Sequence, residues 1–187
     1  MSKVKILIEG FTSADTKSLA EEKTCATISL VHDKDIVMVV DPGVLDSQEQ
    51  LILALEKEGF KKEDVTHVFI THSHIDHYRN IGMFANAKTV EYYGIWSGGS
   101  VNDWQKDFAK DIKIIKTPGH SYDGLSLLVE TEIGKVAIVG DVFWKESGPE
   151  KDPYASDEIK LRESRQKILD LADYVIPGHG PMFKVNK

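Results

Sequence analysis

The sequence predicts an α/β fold, one domain over residues 1–187, with its chemistry carried at strand ends. Three features point there. Short β-rich runs alternate with two stretches of helical periodicity. Four of those runs stop abruptly at a histidine or an aspartate. A chain of 187 residues, 41% hydrophobic and 28% charged, is large enough to bury a core without disulfides or a structural metal.

Taken in order, residues 4–8, 26–31 and 36–40 read as strands, with His32-Asp33-Lys34-Asp35 as the turn between the last two, a meander that opens a sheet. A helix follows from Ser47 as N-cap, with Leu51, Ile52 and Leu55 on one face and Gly59 as its stop. Residues 65–71 form a strand that ends in the polar cluster His72-Ser73-His74-Ile75-Asp76-His77. A shorter strand at 88–92 leads into a Gly- and Trp-rich loop over 94–104. Residues 112–117 are again strand, ending at Pro118-Gly119-His120. A hairpin of 125–130 and 135–139 ends at Gly140-Asp141, an amphipathic helix spans about 157–171, and the run Tyr174-Val175-Ile176 ends at Pro177-Gly178-His179.

Composition excludes several classes. No run approaches the roughly 18 apolar residues of a membrane span, and the first residues lack the apolar segment of a signal peptide, so no membrane partner and a cytoplasmic location are expected. The single Cys25 has no partner for a disulfide or a thiolate metal site and reads as a buried filler. A net charge of -7 opposes broad electrostatic binding of nucleic acid, while leaving room for a local basic groove. No repeat or low-complexity linker marks a boundary.

His-X-His-X-Asp-His places three imidazoles and a carboxylate within six residues. Clustered imidazoles gain little from packing and repel when protonated, a conflict that a metal relieves. Imidazole and carboxylate suit zinc, and also iron or manganese; the lack of cysteine ligands argues against a closed structural zinc site. Of the seven histidines, His72, His74, His77, His120 and His179 all follow predicted strands. The Pro-Gly pair before His120 and before His179 fixes one backbone dihedral and frees the next, letting the chain turn sharply at a strand end. By contrast, His32 in a turn and His67 inside a strand read as ordinary surface or packing residues. Asp41, before Pro42-Gly43, reads either as a turn residue or as a carboxylate that orients a ligand histidine. Tyr92, Tyr93, Trp96 and Trp104 flank the Gly-rich stretch and are either loop anchors or a substrate wall. Arg162 and Arg165 read mainly as a solvated helix face, with a substrate anion as the functional alternative.

Thr71-His72-Ser73-His74-Ile75-Asp76-His77, Thr117-Pro118-Gly119-His120, Gly140-Asp141 and Pro177-Gly178-His179-Gly180 together resemble the metallo-β-lactamase superfamily, in the expected order over nearly the whole chain. Gly140-Asp141-Val142-Phe143, Glu163-Ser164-Arg165 and residues 172–181 narrow the resemblance to one branch, linked to ribonuclease activity on pre-mRNA. The resemblance implies a four-layer αβ/βα sandwich with the metal site at the strand-end loops. It implies that His72, His74 and His120 hold one metal, that Asp76, His77 and His179 hold a second, and that Asp141 bridges them. Asp41 matches the family's early aspartate, which supports the site without being a ligand. Tyr78-Arg79-Asn80 departs from the smaller residues of many relatives, so Arg79 either braces the loop or approaches substrate. Asp141 stands where some β-lactamases of this fold carry cysteine, which argues against antibiotic hydrolysis as the native reaction. The chain ends soon after His179, so neither the helical domain of glyoxalase II nor the extra domain of large RNA-processing members is expected.

The expected mechanism is hydrolysis at two divalent cations, most simply zinc, roughly 3.5–4 Å apart, with a shared activated water as nucleophile. Asp141 and Asp76 are the expected catalytic carboxylates, Asp76 as a proton acceptor. A small ester, thioester or lactone is the first expectation for the substrate. The alternatives are phosphodiester cleavage in RNA, mononuclear-iron sulfur dioxygenation and a non-catalytic binding module stabilised by metal. A homodimer is carried on general frequency alone.

Overall fold

A computed structural model describes residues 1–14 and 22–186. Its first sheet begins as an antiparallel meander, β1 (Lys3–Ile8) against β4 (Ile28–His32) and β4 against β5 (Val37–Val40), with the small ribbon β2 (Phe11–Thr12) and β3 (Thr24–Cys25) between β1 and β4 in sequence. Helix α1 (Glu49–Lys57) then carries the chain to β6 (His67–Phe69), which lies parallel to β5 and to β7 (Lys88–Glu91). The Ser47 hydroxyl accepts the Glu49 N–H at 3.2 Å, one position before the capping residue, and Gly59 ends the helix with φ of 85°.

The stretch expected as a loop over 94–104 is instead partly sheet. β8 (Gly94–Ser97) and β9 (Ser100–Asn102) form a hairpin whose turn contains Gly98 at φ 58°. Both strands are largely exposed, so no hydrophobic alternation announces them; the Gly98-Gly99 pair was the available signal. The short strands β2, β3, β10 (Asp107–Ala109) and β15 (Phe183–Lys184) also escape the pattern, being too brief to alternate.

The second sheet runs β10, β11 (Ile112–Lys116), β12 (Leu125–Thr131), β13 (Gly134–Ile138), β14 (Tyr174–Ile176) and β15. Helix α3 (Glu158–Leu171) is the crossover that makes β13 and β14 parallel. Its N-cap is Asp157, whose side chain accepts the N–H groups of Ile159 and Lys160 at 3.1 Å each.

Alternation along these strands sets the layers. Met38, Val40, Phe69 and Val90 of the first sheet meet Ile114, Leu125, Leu127 and Ile138 of the second in the central core. The opposite face of the first sheet packs Leu30, Val39 and Val68 on Leu51 and Leu55 of α1. That of the second packs Leu128, Ala137 and Val175 on Leu161 and Ile168 of α3. The result is helix, sheet, sheet, helix: a four-layer αβ/βα sandwich. No helix among the described residues is long and apolar enough to cross a membrane.

β5, β6, β11, β13 and β14 all point their C-terminal ends to one edge, where the sheets are tied by Leu125 N–H to Thr71 C=O (2.8 Å) and Thr27 N–H to Gly178 C=O (2.6 Å). Every predicted strand-end histidine and aspartate is delivered there. Truncating the fully buried Leu127 to alanine is predicted to lower the unfolding free energy by about 2–5 kcal/mol. Asp157→Ala is predicted to cost about 1 kcal/mol, the usual loss of an N-cap. Denaturant titration checks both; a smaller loss for Leu127→Ala than for Asp157→Ala would contradict these placements.

Candidate metal centre

At the shared edge two groups of ligand atoms converge, His72, His74, His120 and Asp141 in one, Asp76, His77 and His179 in the other, each with its atoms within 4.8 Å of one another. Asp141 lies between them. Its Oδ1 is 3.3 Å from His77 Nε2 and 3.2 Å from His179 Nε2, while its Oδ2 is 3.3 Å from His120 Nε2 and 3.9 Å from His72 Nε2. All seven residues expected as ligands are therefore brought together, and His32 and His67 are not: their rings pack edge-on against Phe60 and Phe108.

Two glycines explain how the loops come so close. Gly140 adopts φ of 52°, and a Cβ there would collide with Thr71 Oγ1. A Cβ on Gly178 would collide with Asp141 Oδ1, so at Pro177-Gly178-His179 the requirement is space beside the carboxylate rather than an unusual dihedral. The first cluster straddles a strand end and the short helix α2 (Ile75–Tyr78), with His74 at its N-cap position accepting the His77 N–H at 3.0 Å.

The rear nitrogens of the imidazoles are held. His77 Nδ1 lies 2.8 Å from Asp41 Oδ2, and Asp41 also accepts the Thr71 N–H (2.8 Å) and hydroxyl (2.7 Å). Asp41 sits in the left-handed region at φ 50°, a conformation aspartate tolerates better than most side chains. His179 Nδ1 is 3.0 Å from the Cys25 carbonyl, and His72 Nδ1 is 3.1 Å from Thr71 Oγ1. Asp152, 32 residues from His120 in sequence, lies 2.6 Å from its Nδ1. No motif marked Asp152 in the sequence, and an acidic residue in the loop after Gly140-Asp141 was the only cue.

A cation fits this donor set. His72 Nε2 is buried and has no hydrogen-bond partner, an arrangement that costs free energy unless something positive satisfies its lone pair. Burial, reinforced by the charge of His77, holds His72 well below the usual histidine range, and burial with His120 lowers His74. Both present neutral imidazole. For His77 burial acts downward but is outweighed by Asp141 and Asp41, which hold it well above that range; His179 is raised by Asp141 against the same burial. Burial would raise Asp141, yet His179 and His77 pull it well below the ordinary carboxylate value.

Beside the ligands lies a cleft of about 310 Å³ whose other walls include Thr12, Glu22, Thr24, Ile75, Trp144 and Tyr154. Trp144 stacks on Tyr154 at 6.0 Å and meets His120 and His179 edge-on. The three arginines weighed as substrate contacts are not on these walls. Arg165 donates from Nε to the Val142 carbonyl at 2.8 Å and packs over Phe143, bracing the segment after Asp141. Arg162 is exposed and pairs with Glu158 one helical turn away, and Arg79 is exposed at the C-cap of α2. Helix direction, not closeness in sequence, decides their reach. Tyr92 lines a separate pocket beside His72, and Trp104 donates to the Glu91 carbonyl at 3.0 Å, so the aromatic group does not wall the main cleft.

With fold and site in place, the chain belongs to the metallo-β-lactamase superfamily, and it is a metal-dependent hydrolase. The model of the metallo-beta-lactamase superfamily matches residues 26–101. Metallo-beta-lactamase domain-containing protein 1 of Xenopus laevis is 32% identical over 98% of this chain and 82% of its own length. The human protein of the same name is also 32% identical, and the chain spans 59% of its length. Among solved structures, an N-acyl homoserine lactone hydrolase with its product bound at the catalytic metal centre aligns over 95% of this chain and 92% of its own, with TM-score 0.69 and 14% identity. Another, described in a di-iron-bound form, aligns over 86% and 90% with TM-score 0.67 and 19% identity.

Because the carboxylates beside His77 and His179 raise both imidazoles and so favour protons that a cation must displace, metal uptake is predicted to release protons, and affinity to rise with pH through the range above an ordinary histidine pKa. Titration calorimetry in buffers of different ionisation enthalpy reads this directly; uptake without proton release would contradict the charge assignment. Asp41→Asn is predicted to weaken metal binding by about 10–100-fold through His77.

Proposed function

We propose that this chain hydrolyses a small, uncharged carbonyl substrate, an ester, thioester or lactone, at a pair of divalent cations, zinc being the simplest choice. The observation that carries the reading is the cleft: among the described residues no lysine or arginine lines it, while Glu22 stands on its wall. The cations themselves would suit either substrate, but beyond them a phosphodiester meets no basic side chain on the described walls, whereas a neutral acyl group asks only for an apolar surface and a few polar groups. The lactone hydrolase of the same fold supports the substrate class by analogy of architecture.

The residues divide the work. His72, His74 and His120 would hold one cation and Asp76, His77 and His179 the other, and Asp141, whose Oδ1 lies by His77 and His179 and whose Oδ2 lies by His120 and His179, would be shared between them. Bound there, divalent cations polarise an acyl oxygen and lower the pKa of water toward neutrality. Thr24 donates its hydroxyl to Asp76 Oδ2 at 3.0 Å, fixing that carboxylate beside the cleft, where it can accept a proton. The Tyr154 hydroxyl donates to Glu22 Oε2 at 2.6 Å across the cleft, and the buried Trp144 stacks on Tyr154 and meets His120 and His179 edge-on, giving the cleft an apolar wall.

A second reading, cleavage of RNA, has one observation in its favour. Although the chain carries a net charge of -7, Lys106, Lys113, Lys116, Lys135 and Lys167 line one groove on the second sheet, with Trp104 at its side. Basic side chains beside an aromatic face suit a single strand.

The test is a panel of esters, thioesters and lactones beside a model phosphodiester and single-stranded RNA, with metal-loaded protein. The expected result is turnover of carbonyl substrates, abolished by chelator, restored by metal, and reduced in Asp141→Asn by more than the roughly 10–100-fold that loss of an outer partner costs. Salt-sensitive cleavage of RNA with no carbonyl turnover would favour the second reading. Oxygen consumption at a single iron would contradict both.

A further inference from the structure

We propose that Asp152 is the positioning residue of the first cation site, acting through His120, so that each half of the centre has its own carboxylate behind one imidazole. The inference rests on the two-cation reading above.

Asp152 is 3% exposed and its Oδ2 lies 2.6 Å from His120 Nδ1, the shorter of the two carboxylate to imidazole contacts that face away from the cleft. Its other oxygen accepts the Tyr154 N–H at 2.9 Å, so both oxygens are committed and the carboxylate has one orientation. The segment that carries it is stitched to the His120 loop. Ser156 N–H reaches the His120 carbonyl at 3.0 Å, Asp157 N–H reaches the Gly119 carbonyl at 2.9 Å, and the Ser156 hydroxyl reaches the Gly119 carbonyl at 3.0 Å.

An acceptor at Nδ1 places the imidazole proton there and leaves Nε2 as a lone pair, aimed at Asp141 Oδ2 (3.3 Å) and His74 Nδ1 (2.9 Å). The arrangement matters more in this half than in the other. Apart from the shared Asp141, the first group contains only neutral ligand types, His72, His74 and His120, whereas the second has its own carboxylate, Asp76. Asp152 supplies the missing negative charge one atom layer out. Asparagine cannot replace it: with its amide nitrogen toward His120 it donates to Nδ1 and forces the proton onto Nε2, and flipped it sets two donors face to face at Tyr154 N–H.

The test is competition of apo protein against a chromophoric zinc chelator, with the Co(II) absorption spectrum as a second readout, for wild type, Asp152→Asn, Asp152→Glu, His120→Ala and Asp76→Asn. Wild type is expected to take up two equivalents. Asp152→Asn should weaken one of them by about 10–100-fold and leave the other, in the same half that His120→Ala removes and the opposite half from Asp76→Asn. Asp152→Glu, which restores the charge, should recover part of the loss. Equal weakening of both equivalents, no weakening, or identical losses in Asp152→Glu and Asp152→Asn would overturn the proposal. A wild type that binds only one equivalent would instead defeat the two-cation reading, separately from Asp152.

Discussion

A carboxylate buried between four imidazoles is the constraint on which the rest of this structure turns. Asp141 is 5% exposed, yet His77 and His179, at 3.3 and 3.2 Å from its Oδ1, hold its carboxyl well below the ordinary carboxylate range against the burial that would raise it. A charge in that position is costly unless its surroundings are positive and fixed. The fixing begins far from the ligands. Two sheets share one core, their parallel strands end at a common edge, and cross-sheet backbone bonds at Thr71 and Thr27 lock that edge. Gly140 and Gly178 remove the side-chain atoms that would otherwise keep Thr71 and Asp141 from their places.

The two halves of the centre differ in charge state before any cation enters. His72 and His74 are held neutral by burial, while His77 and His179 are held protonated by the carboxylates they face. The carboxylates that face His77 and His179 favour the protonated imidazoles in the second half. A cation entering there would compete with those protons. The same logic accounts for the rear contacts, since an imidazole can present a lone pair forward only if its proton is accepted behind.

Much of this was legible in the sequence for a definite reason. A ligand that follows a strand directly inherits the strand's direction, so His72, His120, Asp141 and His179 were placed by counting apolar runs. His74, Asp76 and His77 came with them because they lie within one short segment. Asp41 was readable as a partner by the same rule. Asp152 was not, because it meets His120 across 32 residues from an irregular loop whose path depends on the packing of α3. The β8 and β9 hairpin was hidden by its exposure on both faces. Arg162 lies on the solvated helix face read for it, whereas Arg165 turns inward to the Val142 carbonyl, a contact across 23 residues that no local pattern marks.

The proposed substrate class rests on the contrast between a strongly polar floor and walls on which, among the described residues, no lysine or arginine stands. The claim beneath all of this is that the seven side chains hold two cations. Elemental analysis of protein purified without chelator, beside His120→Ala and Asp141→Asn, tests it most directly. The account predicts about two divalent metal ions per chain, falling in both variants; a folded protein that carries no metal, or variants that keep the full complement, would contradict it.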